Sequence, residues 1–181
     1  MKRILLVAMV CALVVSPAFG QAGSIGLFSD VTGTDCNLYD QQQGLCSFHI
    51  VHVMSPGATA CQFSAPQPAC LQATYLSDTF PIMVVGNTQT GVAIGYGACV
   101  SSPIHVGDIN YFCQGLTASC CYYPVLPDPN IPSGQIDVMD CNLNLVYATG
   151  GVGIINPDES CECDVAVEDS TWGAVKALYM E

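Results

Sequence analysis

The chain has 181 residues, with 15 carboxylates against only three Lys/Arg and a formal net charge of −12. Two of the three basic residues, Lys2 and Arg3, stand at the very start, and the third is Lys176. Nucleic acid, nucleotide phosphates and anionic membrane surfaces are held by Lys and Arg, so this composition excludes them as partners.

Residues 1–20 read as a secretory signal peptide. Lys2 and Arg3 form a positive start, and Ile4 to Val15 is apolar, too short for a spanning helix of about 20 residues. Ser16 and Pro17 break that run, and Ala18-Phe19-Gly20 supplies small residues at a cleavage site after Gly20. Cys11 is ordinary filler of the apolar run. Cleavage leaves one Lys against the 15 carboxylates, a formal charge of −14. No later segment is apolar enough for a membrane span. The expected location is secreted or cell-surface, with the periplasm as a variant.

From residue 21 to 164 the chain reads as a single β domain. Runs rich in Val, Ile, Tyr and Phe alternate with Gly, Pro, Asn and Asp clusters. Ser24 to Phe28 is the first expected strand. Thr32 to Gly44 follows as a turn-rich loop. Cys46 to Met54, CSFHIVHVM, is the clearest strand. Alternation places Phe48, Ile50, His52 and Met54 on one face and His49, Val51 and Val53 on the other. His49 and His52 therefore cannot chelate one ion together, and His105 is isolated in sequence. Ala58 to Ala65 is a further strand, and Pro66 to Asp78 reads as irregular. Then come Phe80 to Val85 and Val92 to Tyr96, joined by GNTQTG, and Ile104 to Cys113. Cys121 to Val125, a proline-rich loop, Gln135 to Asp140, Leu145 to Ala148 and Val152 to Ile155 complete about nine strands. That spacing is expected of an antiparallel β-sandwich.

The tail, residues 165–181, differs. Ser170 or Thr171 can cap a helix, on which Trp172, Val175, Leu178 and Tyr179 share one face. So short a helix needs a partner surface, either its own domain or a docking partner.

Eleven cysteines remain after cleavage: Cys36, Cys46, Cys61, Cys70, Cys99, Cys113, Cys120, Cys121, Cys141, Cys161 and Cys163. In an exported chain this density predicts disulfides. The C-x-C of Cys161 and Cys163 lacks a second close Cys/His pair for zinc and is not the redox C-x-x-C. Near-adjacent cysteines tie different partners to one place, so Cys161 and Cys163 are expected to staple the C-terminal region to the body. Eleven is odd, which leaves at least one thiol over or pairs it between chains.

No catalytic motif is present, and no cofactor or metal is expected. Asp140, Asn142 and Asn144 occupy positions 1, 3 and 5 of a calcium-type loop, but Leu145 and Gly151 stand where Gly and Glu are required. Asp30, Asp35 and Asp40 match no binding loop. Tyr75, Tyr96, Tyr111, Tyr122 and Tyr123 would suit a sugar platform if exposed, whereas alternation sends half of each run to the core.

Three segments resemble the cohesin-type β-sandwich of exported bacterial scaffold proteins: SPGATACQFSA (Ser55 to Ala65), IHVGDINYFCQG (Ile104 to Gly115) and GQIDVMDCNLNLVYATGGVGII (Gly134 to Ile155). The resemblance implies an immunoglobulin-like sandwich over residues 24–156. The cysteines are not typical of cohesins, and dockerin binding is not carried over. With STWGAVKALY at its end, the chain also resembles a group of exported bacterial proteins that finish in a short Trp-Gly helix, a likeness that implies no function. The reading is an exported structural or binding module with a protein or polysaccharide partner. The rivals are a carbohydrate- or calcium-dependent adhesive domain and an exported hydrolase with a dispersed site.

Overall fold

The computed structural model describes residues 22–81 and 83–163. The expected tail helix, with Trp172, Val175, Leu178 and Tyr179, and the leader lie outside the described residues. Twelve strands follow one another: β1 Ser24–Phe28, β2 Asn37–Leu38, β3 Gln43–Val53, β4 Ala58–Phe63, β5 Ala73–Thr79, β6 Met83–Asn87, β7 Gly91–Val100, β8 Ile104–Gln114, β9 Cys121–Pro124, β10 Ile136–Asp140, β11 Leu145–Gly150 and β12 Val152–Ile155. Nine form one sheet in the order β5-β8-β3-β1-β11-β10-β4-β7-β6, and β2-β12-β9 form a smaller one. Strands β1 and β11 run parallel, with Ser24 opposite Thr149. The long sheet folds over at that pairing, so that its two halves enclose one core.

Alternation builds this core. Ile50, Phe48, Ile109 and Tyr111 come from one half, and Phe63, Val92, Ile94 and Val138 from the other, all in a single buried cluster. The Tyr111 hydroxyl donates to Tyr123 at 2.7 Å, and Tyr123 donates in turn to the Ala65 carbonyl at 2.9 Å. Burying these tyrosines therefore strands no hydroxyl. Among the described residues no buried side-chain nitrogen or oxygen lacks a partner.

The result is an all-β, disulfide-rich sandwich, as the sequence indicates, with local differences. The stretch read as irregular holds β5, an edge strand paired only with β8 and bulged between Tyr75 and Ser77. The bulge puts Leu76 and Ser77 side by side on the solvent side, which breaks the regular alternation of a half-buried strand. The run Phe80 to Val85 is interrupted at Pro81, and β6 begins at Met83. The strand expected to reach Met54 ends at Val53, because Met54 adopts a left-handed φ of 55° and turns outward. The rest of β3 alternates as expected: Phe48, Ile50 and His52 are buried inward, while Val51 and Val53 pack with Phe28 and Cys36 under the Asp30–Asp35 loop.

Five disulfides cross the fold: Cys36–Cys163, Cys46–Cys113, Cys70–Cys121, Cys99–Cys141 and Cys120–Cys161. The adjacent Cys120 and Cys121 tie two separate segments to one corner, and Cys161 and Cys163 fasten the chain's last described turn at two points. Cys61 alone among the described cysteines is unpaired, and it is buried.

Candidate protein-interaction face

The outer face of β10, β4, β7 and β6, extended by β11, carries two rows of side chains set by strand register. One row runs Leu145, Met139, Ala60, Gly95, Met83, and the next runs Tyr147, Asp137, Gln62, Ala93, Val85. Large residues stand at both ends and small ones in the middle. The floor is Ala60, Ala93 and Gly95, and the walls are Met83 and Val85 on one side and Leu145 and Met139 on the other. Between them lies a groove of about 410 Å³.

The walls are open to solvent: Met83 is 81 % exposed, Val85 73 % and Leu145 52 %. Singly scattered exposed apolar residues are normal, but contiguous ones mark an interaction surface. Gly95 sharpens the point. A Cβ built on it would meet nothing within 4 Å, so packing inside the domain does not require glycine there. Asp137 is the one charged residue lining the groove. The Gln62 amide is drawn aside, donating to Asp128 Oδ2 at 2.7 Å. Burial alone would raise the Asp128 carboxyl, but the hydrogen bonds from Gln62 and Asn130 outweigh it and hold the acid below its ordinary range. Beneath the floor, Cys61 is buried against Tyr96. Burial, only partly offset by the Tyr96 hydrogen bond, pushes its thiol up to about 12, which leaves it inert as a nucleophile.

The other residues singled out in the sequence lie elsewhere. His52 is buried, with Nδ1 3.1 Å from the Tyr96 hydroxyl and Nε2 on the Ala22 carbonyl. His49 points to the opposite face, where it meets His105, and both rings bond to Asp108. Among the described residues neither ring is hydrogen-bonded to a hydroxyl or thiol. Tyr111 and Tyr123 are fully buried and Tyr96 nearly so, while Tyr122 is exposed on its own strand. Tyr75, Tyr111 and Tyr123 form a core stack about Phe48, and Tyr39 and Tyr147 are exposed like Tyr122. Asp30 and Asp140 each close a turn by accepting backbone amides, from Thr32, Thr34 and Asp35 in the first case and from Asn142 and Asn144 in the second. Asp40 is buried and accepts from the Gly115 and Thr117 amides.

No protein-family model matches the chain, and no curated protein does. Among solved structures the chain is similar to cohesin modules at weak identity. The sixth cohesin of scaffoldin B from Acetivibrio cellulolyticus, solved in complex with a mutant dockerin, is 14% identical with a TM-score of 0.48, over 75% of this chain and 98% of that one. A non-cellulosomal cohesin from the archaeon Archaeoglobus fulgidus is 13% identical with a TM-score of 0.46, over 76% and 93%. A cohesin from Clostridium acetobutylicum is 11% identical with a TM-score of 0.41, over 77% and 94%.

The groove was missed from sequence because its signal is spread over five strands. The strands themselves were found, but which small residue stands opposite which large one depends on register.

Proposed function

We propose that the protein is an exported binding module that seats an apolar segment of a protein partner in the small-floored groove between β6 and β10. The single observation that carries this reading is Gly95, a glycine on an exposed strand face where a side chain would fit without any clash. Its smallness keeps the groove open. An apolar ridge laid along it would contact Met83, Val85, Met139 and Leu145, and a Lys or Arg on the partner would meet Asp137 in a chain otherwise rich in acid. Recognition of an amphipathic segment in an apolar groove is a common mode. The leader and the disulfides support work outside the cytoplasm, on the cell surface or in an extracellular assembly. The tail stripe of Trp172, Val175, Leu178 and Tyr179 is proposed as a second docking element, on its pattern alone.

A photo-crosslinking residue in place of Met83 tests the groove in the native host. One protein should be captured from position 83 and not from the distant Tyr122. The purified partner should bind Gly95→Trp at least tenfold more weakly than the parent, with the domain's melting temperature unchanged. Equal capture at both positions, or unchanged affinity in Gly95→Trp, would overturn the reading.

A further inference from the structure

His49 stands directly opposite Asp108 in the β3–β8 pairing. His105 lies three residues before Asp108, a spacing that puts two side chains on opposite faces of a regular strand. Here the pairing skips: Ile50 faces Gly107 and Val51 faces His105, so Val106 is the extra residue of a β-bulge. The burial pattern shows the change of phase. Ile104 and Val106 point inward before the bulge, and Ile109, Tyr111 and Cys113 after it. His105 and Asp108 thus come to the same outward face. Gly107 allows it, because a Cβ there would collide with the Phe80 ring and lie 2.7 Å from the Thr79 carbonyl. Bulges re-aim side chains in this way next to functional sites.

We propose that His49, His105 and Asp108 together bind a divalent transition-metal ion of the zinc–copper type. His49 Nδ1 lies 2.6 Å and His105 Nε2 2.8 Å from the same Asp108 oxygen, Oδ1. All three ligand atoms lie within 4.8 Å of one another. Around zinc, with bonds of about 2.0–2.1 Å, tetrahedral ligand atoms sit about 3.3 Å apart, so each ring needs to part from the carboxylate oxygen by roughly half an ångström or slightly more. Two imidazoles and one carboxylate are a ligand set for zinc, copper or nickel, not for calcium or magnesium. The three side chains are a quarter to a third exposed, which leaves an entry path and room for water on the remaining positions. Among the described residues no side-chain Lys or Arg competes, since residues 22–163 contain neither. To bind, each imidazole presents a lone pair to the metal and carries its proton on the other ring nitrogen. The second cluster of such groups, Cys120, Asp158 and Cys161, offers no thiolate, because its two sulfurs are joined to each other.

Titration of the purified, chelator-treated chain with zinc chloride tests the proposal. One zinc should bind per chain. His49→Ala, His105→Ala and Asp108→Asn should each weaken binding at least tenfold, while Asp140→Asn leaves it unchanged. NMR of the unmodified protein guards against variants that misfold: zinc should move the ring signals of His49 and His105 and leave those of buried His52 in place. Absence of stoichiometric binding, binding that survives His49→Ala with His105→Ala, or ring signals that do not move would each overturn it.

Discussion

His52 and Tyr96 are hydrogen-bonded across the core, Nδ1 to hydroxyl at 3.1 Å, and so tie β3 in one half of the folded sheet to β7 in the other. His52 is fully enclosed. Burial, opposed only in part by the Ala22 carbonyl, lowers its pKa below the ordinary imidazole value. A lowered pKa means that the unfolded chain takes up the proton first. The stability involved is complete above about pH 6.5 and declines as pH falls below it. Urea unfolding at a series of pH values should show this decline, and His52→Gln should remove that part of it. A slope unchanged in His52→Gln would assign it elsewhere.

Asp30 gives a second, more acidic phase. Burial would raise its carboxyl, but hydrogen bonds from Thr32, Asp35 and Thr34 prevail and hold it at about 2, against an ordinary 3.8. Its contribution is therefore present above about pH 4 and is lost as pH falls toward 2. The group is only partly buried, so the full shift is discounted for solvent screening to roughly 1 kcal/mol. Asp30→Asn should cost about that much at neutral pH and nearly nothing at pH about 2. Chemical denaturation at the two pH values checks it.

Cys61 should behave as a silent thiol. In the chain lacking residues 1–20, an alkylating reagent should add nothing to the folded, unreduced protein. After unfolding without reductant it should add one label per chain, at Cys61. Intact-mass measurement before and after denaturant decides it. Fast labelling of the folded form would contradict the burial of Cys61 under the groove floor.

The Cys36–Cys163 bridge spans 127 positions, and a lone loop of that length would contribute about 5 kcal/mol. The bridges Cys46–Cys113 and Cys120–Cys161 already shorten the covalent path between the same two points to about 20 residues, for which the chain-entropy relation gives about 3 kcal/mol. Cys36→Ser with Cys163→Ser should therefore lose about 3 kcal/mol in urea unfolding. A loss near 5 kcal/mol would show that the bridges act independently.

The strands with strong alternation were legible in the sequence, β3 above all, where the inward Phe48, Ile50 and His52 and the outward Val51 and Val53 followed from period two. The disulfide-rich sandwich followed from composition and punctuation. Strand β5 was not legible, because its bulge shifts the phase and leaves Leu76 on the solvent side, which breaks the alternation. Nor was the meeting of His49, His105 and Asp108. A rule of fixed parity separates His105 from Asp108, and only the extra residue Val106 brings them together. A bulge depends on the partner strand as much as on the chain that carries it. Gly107 was its one local trace. The groove shares that origin: Ala60 and Gly95 gain their meaning from standing opposite each other.

The Cys36–Cys163 link encloses nearly the whole domain, and its consequence reaches to proteases. A single backbone cut anywhere between those two residues, in the proline-rich loop or the β10–β11 turn for example, leaves both pieces joined by a covalent bond. A fragment cut out at two points escapes only if every bridged cysteine within it also has its partner within it. The longest stretches without a bridged cysteine run from Leu71 to Ala98 and from Ser47 to Ala69. In a protease-rich setting the molecule can be nicked many times and still stay in one piece.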